Sequence, residues 1–239
     1  MSDSTERNHY DWVDYAKGLG IILVVYGHVA RGVFNAGMMG DDSLFRLVDS
    51  IIYSFHMPLF FFLSGLFFVG SLVKKGTKSF ITSKVDTILY PYVIWSILQG
   101  LIQYYLSSYT NFNKPLSDVY NLFWLPQEQF WFLYVLFLIF LIYTLLHYLV
   151  PNIVVLFTLS VLFYLFQNEL LSTWGPLVNF YKYGLYFCAG LLFSKCMNLK
   201  LGSSFWLGLT LLLFVFVQWY FHYYLDMKYS TLGLLPSFF

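Results

Sequence analysis

Charged side chains are scarce in this chain: only 10% of its 239 residues are Asp, Glu, Lys or Arg, while 59% are apolar and 23% aromatic. A soluble domain carries roughly a quarter charged residues, so that class is excluded and an integral membrane protein is implied. The 13 basic and 12 acidic residues leave a net charge of +1. Neither sign gathers into a tail, which excludes the electrostatic footprint of a nucleic-acid partner. Cysteine is nearly absent as well. Cys188 and Cys196 lack CxxC or ligand spacing, so no structural metal and no disulfide framework is indicated, and both are read as free membrane thiols. The start "MSDSTERNHYDWVDYAKG" lacks the basic opening and small-residue cleavage site of a secretory signal. The first apolar run is therefore expected to stay in the mature protein.

Long apolar runs dominate what remains. A helix needs roughly 20 apolar residues to cross the hydrocarbon, and uniform runs of this length point to helices rather than strands. The expected fold is all-α: a polytopic transmembrane bundle with spans near 17–36, 47–70, 86–108, 129–149, 152–168, 178–195 and 203–225. A partial eighth segment begins at Thr231 and is too short to cross before Phe239. Without internal repeats or a break in composition, residues 1–239 are read as one domain. Orientation follows from the lysines and arginines. With a cytoplasmic N-terminus, Arg7, Lys17, Lys74, Lys75, Lys78, Lys84, Lys195 and Lys200 lie inside, against Arg31, Arg46, Lys114, Lys182 and Lys228 outside. The "KKGTKS" linker at 74–79 weighs most. The acids, Asp49 among them, then fall largely on the outer side.

The first span carries polar residues that lipid would not accept. At 3.6 residues per turn, Asp14, Lys17, His28, Arg31 and Asn35 share one face, which is expected to turn into the bundle. Lys17 and His28 lie about 16 Å apart along the axis, too far to bond each other. In the antiparallel second span His56 reaches a depth similar to that of His28. Pro58 would free the Ser54 carbonyl, as where a helix lines a cavity, and Ser64–Gly65 would admit a close helix neighbour. A membrane histidine can equally be an interhelical hydrogen-bonding group. That reading weighs more for His56 than for His28, which shares its face with two cations.

The stretches "DYAKGLGIILVVYGHV" (14–29) and "FHMPLFFFLSGLFF" (55–68) resemble the opening of the membrane acyltransferase family 3, in the branch of fucose 4-O-acetylases and polysaccharide O-acetyltransferases. "ILYPYVIW" (88–95), "FWFLYVLF" (130–137) and "YGLYFCAGLLFSK" (183–195) are similar to later motifs of that family, so the resemblance covers essentially the whole chain. It implies that His28, separated from the basic Lys17 by ten intervening residues, is catalytic. Lys17 stands where the family often has Arg. Lys84 matches a basic residue of the third span, with Thr87 where a second Arg is common. Asp14 and Arg31 on the polar face, His56 at matching depth, and Trp131 in the motif at 130–137 are supporting or substrate-binding candidates. Family members have more spans than seven, so the chain is expected to lack the last helices, which a continuing or neighbouring reading frame would supply.

The implied activity is transfer of an acyl group, expected to be acetyl, from acyl-CoA to a hydroxyl of a cell-envelope glycan or its lipid-linked precursor. Acetyl-CoA is then a substrate, and no permanently bound cofactor is implied. The partners are membrane lipid, acyl-CoA and the glycan or lipid-linked sugar, and the place is the bacterial inner membrane. Such a transfer needs a base for the hydroxyl proton, the usual task of imidazole, although a covalent acyl-His28 route is an alternative. Arg31 would orient the acceptor or stabilise an oxyanion, or else cap the stripe by snorkelling. Lys17 and Lys84 suit the CoA phosphates, and the long pantetheine arm would cover the distance to His28. Two other readings remain open. One is a transporter or flippase with a His28–Arg31–His56 relay; the other is an inactive, truncated family member.

Overall fold

The computed structural model describes residues 11–38, 42–107, 115–126, 128–167, 174–195 and 204–220. These residues form helices and contain no strand. In chain order they are α1 (Asp11–Asn35), α2 (Asp42–Leu66), α3 (Phe68–Lys75), α4 (Thr77–Lys84), a π-helical turn (Val85–Leu89), α5 (Tyr90–Tyr105), the short α6 (Ser117–Tyr120), α7 (Trp131–Leu149), α8 (Ile153–Leu165), α9 (Gly175–Ser194) and α10 (Ser204–Trp219). Every expected span contains a helix. Among the described residues, four stretches are long and apolar enough to cross a membrane: Asp11–Asn35, Ser43–Lys75, Thr77–Tyr105 and Trp131–Leu149. Ile153–Leu165 is apolar but shorter. The expected eighth segment, Cys196, and the charges Arg7, Lys114, Lys200 and Lys228 lie outside the described residues.

Local chemistry sets the ends. Gly37 has φ +69°, and Met38 N–H reaches back to the Val33 carbonyl at 3.2 Å, closing α1 with a left-handed cap. Gly76, at φ +72°, turns α3 into α4. The "KKGTKS" linker is thus a one-residue turn between helices, because both flanks remain hydrogen-bonded. The Asn152 side chain accepts Val154 N–H at 2.9 Å at the start of α8, and Pro176 sits in the first turn of α9. Helix α2 runs through Pro58 without interruption.

The core lies where α2, α7, α8 and α9 meet. Phe61 stacks on Tyr183 at 4.7 Å, and Phe68, Phe80, Phe140 and Phe187 pack edge to face around it. The expected close approach occurs. A Cβ on Gly65 would lie 1.9 Å from the Phe187 carbonyl oxygen, and one on Gly190 would lie 2.0 Å from that of Phe62. The backbones of α2 and α9 therefore touch, which only small residues permit. Tyr143 joins three helices, sharing a hydrogen bond with Ser160 at 2.6 Å and donating to the Gly184 carbonyl at 3.0 Å.

Helix α1 packs on α2 alone among the larger helix contacts. Its buried residues are Val13, Gly20, Gly27 and Ala30, and the Phe60 ring occupies the space beside Gly20. This corrects the expected orientation of the polar stripe: Asp14, Lys17, His28 and Asn35 are exposed, and only Arg31 turns inward. Small residues win the contact because they let the α2 aromatics approach, and the stripe is left at the edge of the seam.

Candidate functional site

The described part of the site stands on the C-terminal half of α1 and the facing stretch of α2 from Asp49 to His56. Arg31 and Asp49, 18 residues apart in sequence, meet in a bidentate pair. Arg31 Nε donates to Oδ1 at 3.0 Å, and Nη2 donates to Oδ2 at 3.1 Å. Their side chains are only 11% and 5% exposed. Asp49, grouped from sequence with the outward-facing acids, is instead the buried counter-ion of α1. The pairing is chemically required, since neither charge could be buried alone at this depth. The Arg31 guanidinium carbon also lies 3.7 Å above the Tyr53 ring centroid, one turn further along α2. Both faces of this guanidinium's chemistry, fork and plane, are thus engaged by α2.

His56 follows on the same helix. It is 2% exposed, its ring meets Tyr53 edge to face at 4.8 Å, and Nδ1 donates to the Ile52 carbonyl at 2.7 Å. With Nδ1 carrying the proton, a neutral ring leaves the Nε2 lone pair as its accepting atom. His56 also lies within electrostatic range of Arg31, Asp49 and His28. The structure therefore brings together His28, Arg31 and His56 from the sequence-derived candidates and adds Asp49 and Tyr53. His28 approaches from the exposed face of α1, while the other four form the buried side.

The remaining candidates lie elsewhere. Lys17 pairs with Asp14 at 3.6 Å, both about half exposed, and sits 5.9 Å from the Phe67 ring at the junction of α2 and α3. Lys84 extends its ammonium over the Phe140 ring at 3.9 Å and the Phe80 ring at 5.2 Å. Trp131 is a core side chain, 6% exposed and 5.3 Å from the Tyr183 ring. Tyr183 in turn interacts electrostatically with Tyr53, so Trp131 is two aromatic neighbours from the Arg31 pair.

Two further residues escaped sequence reasoning. Lys182 of α9 is 2% exposed, and no acidic side chain among the described residues pairs with it. Asn179, one turn earlier on the same face, is also 2% exposed, and its Oδ1 has no hydrogen-bond partner among the described residues. From sequence, Lys182 counted only as a charge flanking a span. The signal that could have singled it out is its place inside the apolar run that begins at Pro176, where an ionisable group marks function by default.

Comparison with known proteins completes the description. The acyltransferase-domain family matches residues 10–239. The nodulation protein NolL of Mesorhizobium japonicum is 32% identical over 85 residues, which are 36% of this chain and 22% of that protein. The NolL protein of Sinorhizobium fredii is also 32% identical over 85 residues, covering 36% of this chain and 23% of its own. The matched stretch spans under a quarter of either relative's length. No solved structure matches. With four apolar helical stretches of membrane-crossing length among the described residues and a family match that runs from residue 10 to residue 239, the chain belongs to the acyltransferase-domain family.

Proposed function

We propose that the chain is a multi-pass membrane O-acyltransferase of the bacterial inner membrane. It would move an acetyl group from acetyl-CoA to a hydroxyl of a cell-envelope glycan or its lipid-linked precursor. The N-terminus and the lysine-rich α3–α4 turn lie on the cytoplasmic side in this reading, in keeping with the lysine bias. The observation that carries it is the cluster of His28, Arg31, Asp49, Tyr53 and His56, an ionisable group of residues placed inside apolar helices. Such groups are costly in lipid and are kept for chemistry.

In the proposed reaction His28 accepts the proton of the sugar hydroxyl as its oxygen attacks the thioester carbonyl. A C–O bond forms, the C–S bond breaks, and the imidazolium returns the proton to the departing CoA sulfur. Arg31 acts through position. Locked to Asp49 and Tyr53, it fixes α1 against α2 and so fixes where His28 stands relative to His56. Lys17, at the cytoplasmic end, draws the anionic donor toward the helix pair.

Mass spectrometry of cell-envelope glycans, with and without the gene, tests the reading. Loss of an acetyl mass increment on deletion, restored by the wild-type gene but not by His28→Ala, is the expected result. Identical glycan masses in all strains would refute it.

A further inference from the structure

Asp49, Tyr53 and His56 follow one another at i, i+4 and i+7 on α2, a spacing that sets them in one stripe along the helix. Arg31 engages the first two, its fork on Asp49 and its plane over Tyr53. The third member is left to the next turn of α1. His28 stands three residues before Arg31 and is its neighbour on the helix surface, one turn closer to the start of α1.

The register of the two helices sets the depth of each histidine. Phe34 stacks on Phe45 at 4.4 Å, Arg31 pairs with Asp49, and the Phe60 ring fills the space beside Gly20. Along this antiparallel seam His28 is therefore level with Ile52, and His56 lies about 6 Å further along α2, one helical turn. The side chains close that gap. Each Cα–Cβ bond tilts toward the N-terminus of its own helix, so in an antiparallel pair the two rings lean toward each other. The His56 ring shows this lean directly, since its Nδ1 donates to the Ile52 carbonyl at 2.7 Å, at the level of His28. The two imidazoles lie within electrostatic range of each other.

We propose that His56 is the positioning residue of His28: its Nε2 accepts a hydrogen bond from one ring nitrogen of His28, and this bond aims the other His28 nitrogen at the acceptor hydroxyl. The reaction it serves rests on the acyltransferase reading; the histidine pair rests on the α1–α2 seam. With its one ring proton engaged by Ile52, a neutral His56 has only Nε2 to offer, and only as an acceptor. His28 must then donate, which selects one of its tautomers. His28 is exposed on α1, so its ring has room to turn to the seam. When it takes the hydroxyl proton as the C–O bond forms, both of its nitrogens carry protons. One stays bonded to His56 while the other passes to the departing CoA sulfur, and His56 itself gains and loses no proton. Arg31, Asp49 and Tyr53 are the charged and titratable groups beside the pair, with Tyr183 of α9 behind Tyr53.

The full chain, carrying 15N-labelled histidine in lipid bilayers, is measured by solid-state NMR, with its five histidines assigned through single substitutions. A correlation between ring nitrogens of His28 and His56, together with a single His28 tautomer, is the expected result. His56→Leu is expected to release both His28 tautomers and to lower acyl transfer about tenfold or more. His56→Gln, which places an amide oxygen near the Nε2 position, is expected to restore the single tautomer and most of the rate. A residue that only packs would lower the rate of His56→Leu and leave the His28 tautomer as in wild type, and that outcome overturns the proposal. So does a wild type without the nitrogen–nitrogen correlation, a measurement that needs no variant to fold. If the correlation and the tautomer change are seen while wild-type membranes transfer no acetyl group from labelled acetyl-CoA, the histidine pair stands and the acyltransferase reading falls.

Discussion

Arg31 of α1 and Asp49 of α2 hold each other through two parallel hydrogen bonds while both are nearly removed from solvent. Removing one partner leaves a buried charge without its counter-ion, which typically costs about 3–5 kcal/mol, whereas replacing both by apolar residues is often neutral. Arg31→Met is therefore expected to lower the unfolding midpoint in detergent sharply, and Arg31→Met/Asp49→Leu to recover most of it. Acyl transfer should stay impaired in the double variant, because the guanidinium no longer fixes Tyr53 beside His56. Equal stability of the single and double variants would contradict this account of the pair.

The contact between α2 and α9 makes a sharper demand. Gly65→Ala would press a methyl group into the Phe187 carbonyl, and Gly190→Ala would do the same at Phe62. Because both neighbours are backbone, relief requires the helices to part, at a cost of about 1–3 kcal/mol or more. Gly70→Ala, with nothing within 4 Å of the new atom, is the matched control. Thermal unfolding of the three variants is expected to show a loss for the first two and little change for the third.

Lys182 tests whether a buried amine is retained for function. A nearly inaccessible lysine without an ion-pair partner among the described residues works against stability. Lys182→Met removes that cost at similar length. The expected outcome is an unfolding midpoint equal to or above wild type, together with an acyl-transfer rate at least tenfold lower. A fall in both, in proportion, would assign Lys182 to packing.

Much of the architecture was legible because apolar runs of membrane length admit few alternatives. Ser64–Gly65 announced the close approach that Gly65 makes, and the lysines of 74–78 marked a helix turn that Gly76 closes. The common face of Lys17 and His28 followed from helical geometry, but which face of α1 is buried did not. That is decided in part by Gly20, whose missing side chain leaves room for the Phe60 ring of α2. The Arg31–Asp49 pair depends on how two helices dock, which spacing within either one cannot report.

The most direct test of the account is acyl transfer from labelled acetyl-CoA in membranes containing wild type or His28→Ala, normalised to the amount of protein. His28 lies on the exposed face of α1, so its removal is expected to leave abundance and unfolding nearly unchanged. The prediction is loss of transfer to background with a normal protein level. A His28→Ala protein that retains most of the wild-type rate would contradict the catalytic assignment and leave His28 as a surface residue beside the Arg31–Asp49 pair.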